Sequence, residues 1–174
     1  MNIDQLNRLS EADAITVFGQ CCGASAWAER MAYARPFEDL GEVLETAGNI
    51  WEECDVDDYE EAFNKHPLIG VERHLDPTRP RGNAWNDLGA KWTAAELKAL
   101  EGTGRDVLAQ LAAANRLHEE KFGHRFVVSA TGKSAQELSA MLEERMKLDP
   151  EEEILVAAAE QLKILRLRLK KLLA

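Results

Sequence analysis

Apolar residues recur at spacings of three and four along most of this chain, and this helical period constrains the fold more than any other feature. In residues 38–52, for example, it places apolar side chains on one face at positions 40, 43, 44, 47 and 51. The sequence has no alternating strand–helix pattern and no glycine-rich phosphate loop. We therefore predict an all-α fold: a single-domain helical bundle over residues 1–174 with about seven or eight helices and one short extended segment.

Helix-start signals give the expected boundaries. Three pairs have the spacing of a capping box, in which two side chains satisfy free backbone N–H groups at a helix start: Ser10–Asp13, Thr93–Glu96 and Ser134–Glu137. Ser25 is expected to cap a helix over residues 26–35. Further helices are expected over residues 38–52, 57–65 and 104–122, and from Pro150, with Asp149 as its cap, to the C-terminus. Residues 126–130 are β-branched in part and form the predicted extended segment.

Residues 71–91 interrupt the helical period with two prolines, two glycines and two asparagines. A connection of this length in a compact domain is typically functional or disordered. We predict a long loop here that could close over a ligand.

Charge and composition exclude several classes of function. The formal net charge is −10 and the pI is about 4.9, which disfavours nucleic acid as a partner because phosphate binding needs a basic surface. No apolar stretch approaches the roughly 20 residues that span a bilayer, and the N-terminal residues do not resemble a signal peptide. The expected location is cytoplasmic. The three cysteines have no zinc-binding spacing, so no metal site is expected.

His66 and Glu96 are the residues that could carry chemistry, although each also has a structural interpretation. His66 lies between a helix end and Pro67, where it could cap the helix or act as an acid–base group in a fixed orientation. Glu96 could complete the capping box with Thr93, or lie at a helix start as a catalytic carboxylate. Arginines late in the chain, such as Arg145 and Arg168, could bind a substrate carboxylate. The residues alone leave these alternatives open.

Taken together, motifs along nearly the whole chain resemble the family of OHCU decarboxylases, which act on 2-oxo-4-hydroxy-4-carboxy-5-ureidoimidazoline (OHCU). The matching segments are LNRLS at residues 6–10, the segment from Trp27 to Phe37, FNKHPLIG at 63–70, WTAAE at 92–96, residues 113–146 and the closing helix at 151–172. The resemblance implies a homodimeric, all-α enzyme without metal or organic cofactor. Its expected reaction is decarboxylation of this anionic ureide to (S)-allantoin, the last step from urate to allantoin.

The resemblance also implies roles for individual residues. It makes His66 and Glu96 the catalytic pair. It implies a substrate-binding group formed by Pro67, Thr93, Leu97, Val127, Val128 and Arg168, with Arg145 as the alternative arginine.

Several positions depart from the family pattern. Leu97 stands where the family has Gln, and His118 where it has Tyr; Leu68 and Leu148 replace its Arg and Asn. An apolar residue in place of an amide that would bind the ligand costs about 1–3 kcal/mol of binding. Two alternatives therefore remain: a catalytically impaired helical interaction protein of the same fold, or a decarboxylase of a related ureide-like anion. The predicted loop could also supply the missing contact, through Asn83 or Asn86.

Overall fold

The protein is described here by a computed structural model that covers residues 1–70 and 91–174. Its helices are α1 (Ile3–Asn7), α2 (Glu11–Cys21), α3 (Ser25–Tyr33), α4 (Leu40–Glu52), α5 (Val56–Asn64), α6 (residues 91–96), α7 (Arg105–Phe122), α8 (Ala135–Arg145) and α9 (Pro150–Leu172), with a 3₁₀ turn at Lys98–Leu100. These described ranges contain no β-strand, which confirms the all-α class. The predicted loop lies outside them, except that its last residue, Lys91, is helical.

Most of the predicted helix starts are confirmed. The Ser10 side chain accepts a hydrogen bond from the Asp13 backbone N–H at the start of α2. Ser134 forms a reciprocal capping box at α8, and Asp149 forms another at α9, where proline follows it. These caps satisfy N–H groups that the helices themselves leave free.

Two predicted caps are wrong. Ser25 is the first residue of α3 instead of its cap, and its hydroxyl and backbone N–H both donate to Glu61. Thr93 lies inside α6, where its carbonyl accepts the ordinary helical bond from the Leu97 N–H at 3.1 Å. Glu96 forms an ion pair with Arg168 on α9. The predicted extended segment at 126–130 is buried but pairs with no strand in the described chain.

One cluster of buried apolar side chains joins α2, α3, α4, α5 and α9. Two fully buried tryptophans anchor it through their indole N–H groups: Trp27 donates to the Ala47 carbonyl at 3.1 Å, and Trp51 donates to the Ala158 carbonyl on α9 at 2.9 Å. A buried indole normally finds such a partner, since its polar N–H would otherwise lose its hydration. The first bond joins α3 to α4, and the second joins α4 to α9.

A second buried cluster joins α7, α8 and the segment at 126–130. Gly70 brings the chain after His66 against α7. Its φ of +89° favours glycine, and a Cβ there would lie 2.6 Å from the carbonyl oxygen of Leu108. None of the helices in the described ranges is long and apolar enough to cross a membrane.

Candidate active site

A pocket opens where the two clusters meet, with about 340 Å³ of empty space that includes open solvent. Its walls are formed by His66, Pro67, Ile69, Thr93, Glu96, Leu97, Phe126, Val127, Val128, Ala130 and Ile164. Seven predicted site residues are among them, namely His66, Pro67, Thr93, Glu96, Leu97, Val127 and Val128. Residues from four separate parts of the chain thus converge on one cavity.

His66 directly follows the C-cap of α5, Lys65. Its backbone N–H donates to the Phe63 carbonyl at 3.1 Å, and this bond between residues three positions apart extends the end of α5. Its imidazole reaches α9, where Nε2 lies 2.5 Å from Oε1 of Gln161. The ring therefore bonds to a distant helix and not to the carbonyls of α5, contrary to the capping interpretation.

Glu96 and Arg168 form a buried ion pair beside the pocket. Arg168 donates from Nε to Oε1 of Glu96 at 2.9 Å and from Nη2 to Oε2 at 2.8 Å. The same Nη2 lies 3.3 Å from the Thr93 hydroxyl, and Nη1 donates to the Gln20 carbonyl at 3.4 Å. Both charged residues are less than a tenth exposed. A two-pronged bond of this kind fixes the plane of the carboxylate as well as its position.

The charges around the pocket set the protonation state of His66. Burial is the largest influence and lowers the pKa of His66, and the positive charge of Arg168 lowers it further. The hydrogen bond to Gln161 and the charge of Glu96 oppose this, and Arg125 adds to the lowering. The resulting pKa of about 4 keeps the imidazole neutral at pH 7.

Glu96 is held in the opposite state. Burial raises the pKa of its carboxyl, but the hydrogen bonds and charge of Arg168 outweigh burial and leave the pKa below its ordinary value. The pocket therefore presents a neutral imidazole and a carboxylate at neutral pH. Titratable groups with shifted pKa values at one cavity are a common sign of a functional site.

The wall formed by Val127 and Val128 is supported from behind by Arg145. Its Nη1 donates to the Val127 carbonyl at 3.0 Å, while the rest of the guanidinium binds both carboxylate oxygens of Glu153. The structure thus places Arg145 outside the pocket lining, bonded to the backbone of one of its walls. Val127 and Val128 themselves line the cavity.

The same network brings three possible metal ligands together, with donor atoms of His118, His124 and Glu153 within 4.8 Å of one another. His118 Nε2 lies 2.7 Å from Oε1 of Glu153, and Arg145 binds both oxygens of that carboxylate. A divalent cation here would add its charge to a guanidinium in a buried site, which is costly. The geometry favours a buried ion-pair network over a metal centre.

Sequence reasoning missed Gln161 and Ile164, which act on the site from α9. Gln161 contacts His66, and Ile164 lines the pocket. Both share a helix face with Arg168, because the three residues are spaced by three and four positions. That spacing could have identified them from the sequence. Once Arg168 is a candidate site residue, the residues one and two helical turns before it lie on the same surface.

Comparisons with known proteins point to one family. The family model for OHCU decarboxylase matches residues 7–170. A uric acid degradation bifunctional protein of Arabidopsis thaliana is 34% identical over 153 residues, covering 87% of this chain and 45% of that protein. A 2-oxo-4-hydroxy-4-carboxy-5-ureidoimidazoline decarboxylase of Haloferax volcanii is 24% identical over 170 residues, covering 97% and 94%.

A solved structure of an OHCU decarboxylase in the presence of (S)-allantoin is also similar. It is 31% identical, with a TM-score of 0.74, and the match covers 91% of this chain and 97% of that one. The chain spans less than half the length of the Arabidopsis relative. The likeness to the solved chain, by contrast, extends over nearly its full length.

Proposed function

Because the chain belongs to the OHCU decarboxylase family, we propose that it decarboxylates 2-oxo-4-hydroxy-4-carboxy-5-ureidoimidazoline to (S)-allantoin. One observation carries the proposal: neutral His66 and anionic Glu96 line a single pocket. Packing alone gives no reason to bury a neutral imidazole and a paired carboxylate at the wall of one cavity. We assign these two residues as the catalytic pair.

The local charge suits an anionic substrate, even though the chain as a whole is strongly acidic. Three charged groups act on His66, namely Arg168 and Arg125, which are positive, and Glu96, which is negative. Their sum is +1, which complements a substrate with one carboxylate. The substrate's charge would in turn raise the pKa of His66, so that binding itself would make the imidazole a stronger base.

The substrate contains its own electron acceptor, so the reaction needs no metal or organic cofactor. In OHCU the ring carbon that carries the carboxylate also carries a hydroxyl, and it adjoins a carbon–nitrogen double bond. When CO₂ leaves, the electron pair of the broken bond forms a carbon–carbon double bond, and the ring nitrogen takes up a proton. The hydroxyl then loses its proton to become a carbonyl, and the neighbouring carbon gains one. The sum is the loss of CO₂ and the uptake of one proton.

We assign the second half of this sequence to His66. It takes the hydroxyl proton and returns it to the ring carbon from one side, which sets the handedness of the product. Glu96 stays ionised, accepts a hydrogen bond from the substrate and stabilises the imidazolium that forms. The pocket walls at Pro67, Leu97 and the Val127–Val128 segment hold the ring in place.

Arg168 is the better candidate for the cation that faces the substrate. Its guanidinium bonds to Glu96 and Thr93, both of which line the pocket. Arg145 bonds to the Val127 carbonyl behind the wall. We therefore propose that Arg168 attracts the substrate carboxylate and that Arg145 supports the wall.

The test is to follow freshly generated OHCU by circular dichroism with and without the protein. Uncatalysed protonation occurs on both faces and gives racemic allantoin without a final signal. The enzyme should accelerate the decay and leave the signal of the (S) form. His66→Gln and Glu96→Ala should each reduce kcat by about 100-fold or more. Glu101→Gln, a change at an exposed glutamate near the same helix, serves as the matched control. Near-normal turnover by His66→Gln would exclude the assignment.

A second candidate is favoured by Leu97, which lines the pocket where the family has an amide. The protein would then decarboxylate a related ureide-like anion with fewer polar ring atoms. No acceleration of OHCU decay, together with turnover of such an analogue, would support this candidate. Failure on both would favour a non-enzymatic interaction protein.

We propose a homodimer of single-domain subunits in the cytoplasm, as the family resemblance implies. Exposed apolar side chains that a partner could cover include Leu117 on α7 and Leu155 on α9. Sedimentation of the wild-type chain and of Leu155→Lys tests this, because a dimer that uses α9 should dissociate in the variant.

A further inference from the structure

Gln161 is a fully buried amide that lines no part of the pocket yet contacts the residue proposed as its base. It lies on α9 with no exposed surface. Its Oε1 is 2.5 Å from Nε2 of His66, across 95 residues of sequence. Its Nε2 has no hydrogen-bond partner among the residues that the structure describes. A buried amide with one free end is costly, which indicates that its single contact is important.

The orientation of this amide determines which nitrogen of His66 carries the proton. A carbonyl oxygen only accepts hydrogen bonds, so the ring nitrogen that faces it must carry a hydrogen. A neutral imidazole has one such hydrogen, which leaves the lone pair on Nδ1. The reversed amide would present its NH₂ group and would require the other tautomer. The tautomer of a catalytic histidine is commonly set by the bond at its second nitrogen.

We propose that Gln161 is a positioning residue that holds His66 as the Nε2–H tautomer, so that Nδ1 is the atom that exchanges a proton with the substrate. The identity of that substrate rests on the function proposed above, but the tautomer does not. Gln161 reaches the substrate only through His66.

An amide is suited to this role because it orients the ring without adding charge. The charged groups that face His66 are Arg168 from α9, Glu96 from α6 and Arg125 from the segment after α7. A carboxylate at position 161 would orient the ring equally well, but it would favour the imidazolium and remove the free base. The amide fixes the tautomer and leaves the charge state to the three ionised groups.

The direct test is nitrogen NMR of the whole chain, labelled with ¹⁵N in histidine and free of ligand. The two ring nitrogens have well separated shifts when one is protonated and the other is not, and His66→Gln assigns the signals. At pH 7 we expect Nε2 of His66 to be protonated and Nδ1 unprotonated. A protonated Nδ1, or a mixture of tautomers in the wild type, would overturn the proposal without any variant.

Two variants then test whether Gln161 is the cause. Gln161→Met keeps the volume but removes the acceptor, and the ring should populate both tautomers. The kcat should fall by about twofold or more while KM changes little, since roughly half of the rings then have the base in the reactive form. Gln161→Glu should keep the Nε2–H tautomer. It should also shift the acidic limb of the pH profile of kcat/KM to higher pH by about one to three units.

The control is Gln110→Met, at an exposed position on α7, which should change neither shifts nor rates. Unaltered His66 shifts in a folded Gln161→Met variant would contradict the proposal. If the shifts behave as expected but OHCU is not consumed, the proposed function fails and the tautomer assignment stands. If OHCU is consumed but the shifts are wrong, the reverse holds.

Discussion

Replacing Arg168 with Met should destabilise the protein far more than breaking an ion pair on its surface. Arg168 compensates Glu96 through two hydrogen bonds of 2.8 and 2.9 Å, in a site where both residues are less than a tenth exposed. Met fills much of the same volume but leaves the carboxylate buried without a partner. In the folded variant, no group replaces the water that solvates the Glu96 carboxylate in the unfolded chain.

The size of the effect follows from this burial. Removing one partner of a buried pair costs about 3–5 kcal/mol, because the remaining charge is left uncompensated. The exposed pair Arg30–Glu53 has side chains that are 41% and 65% exposed, and breaking it with Arg30→Met should cost less than about 1 kcal/mol. Adding Glu96→Gln to Arg168→Met removes the stranded charge and should restore at least about 2 kcal/mol.

Urea unfolding at pH 7 measures the free energy of unfolding of the wild type, Arg168→Met, Arg30→Met and the double variant. The stability that Arg168→Met loses relative to the wild type should be smaller at pH 5. Without Arg168, burial raises the pKa of Glu96 above its unfolded value, so the folded state binds a proton more readily and gains stability as the pH falls. The double variant should be stable but inactive. The reasoning is refuted if Arg168→Met costs no more than Arg30→Met, or if its deficit does not depend on Glu96.

Three further predictions concern the pH profile, the pocket wall and its support. Since the pKa of His66 is about 4, its neutral form persists in mild acid. The value of kcat/KM should therefore stay constant down to about pH 5 and decrease about tenfold per pH unit below pH 4. A decrease that begins near pH 6.5 would contradict this. Leu97→Gln should lower KM for OHCU by about tenfold in initial-rate assays, since an amide can bind polar ring atoms; an unchanged KM would mean that Leu97 faces no such atom. Arg145→Met should lower Tm by about 10 °C in a thermal melt, because it leaves His118 as the remaining partner of the fully buried Glu153 carboxylate. An intact Tm with a raised KM would instead make Arg145 a substrate contact.

Local signals in the sequence predicted most of the helices because those signals act within a few residues. Ser134 and Asp149 cap helices through backbone groups three residues away, so the sequence alone contains both partners. The same locality explains the error at Thr93. Its spacing to Glu96 fits a capping box, but α6 already includes Thr93, and an arginine 72 residues later takes the carboxylate.

The partners of the site residues were the part that could not be predicted. Family motifs identify His66 and Glu96 as chemical groups, and the structure brings both to one pocket. No local pattern indicates that Gln161 meets His66 from 95 positions away, or that Arg145 binds a backbone carbonyl behind the wall. Such contacts depend on how the helices pack, which periodicity does not determine.

The dependence of the pocket on α9 also has a consequence for biosynthesis. This one helix supplies Gln161 to His66, Ile164 to the cavity wall and Arg168 to Glu96, and it follows every other helix of the described chain. Ribosomes add about 5–20 residues per second, so the 72 positions between Glu96 and Arg168 take roughly 4–14 seconds to translate. During that interval a nascent chain contains its imidazole and carboxylate but lacks Gln161 and Arg168, the α9 residues that bind them. Catalytic competence would therefore arise late, when α9 leaves the ribosome and docks.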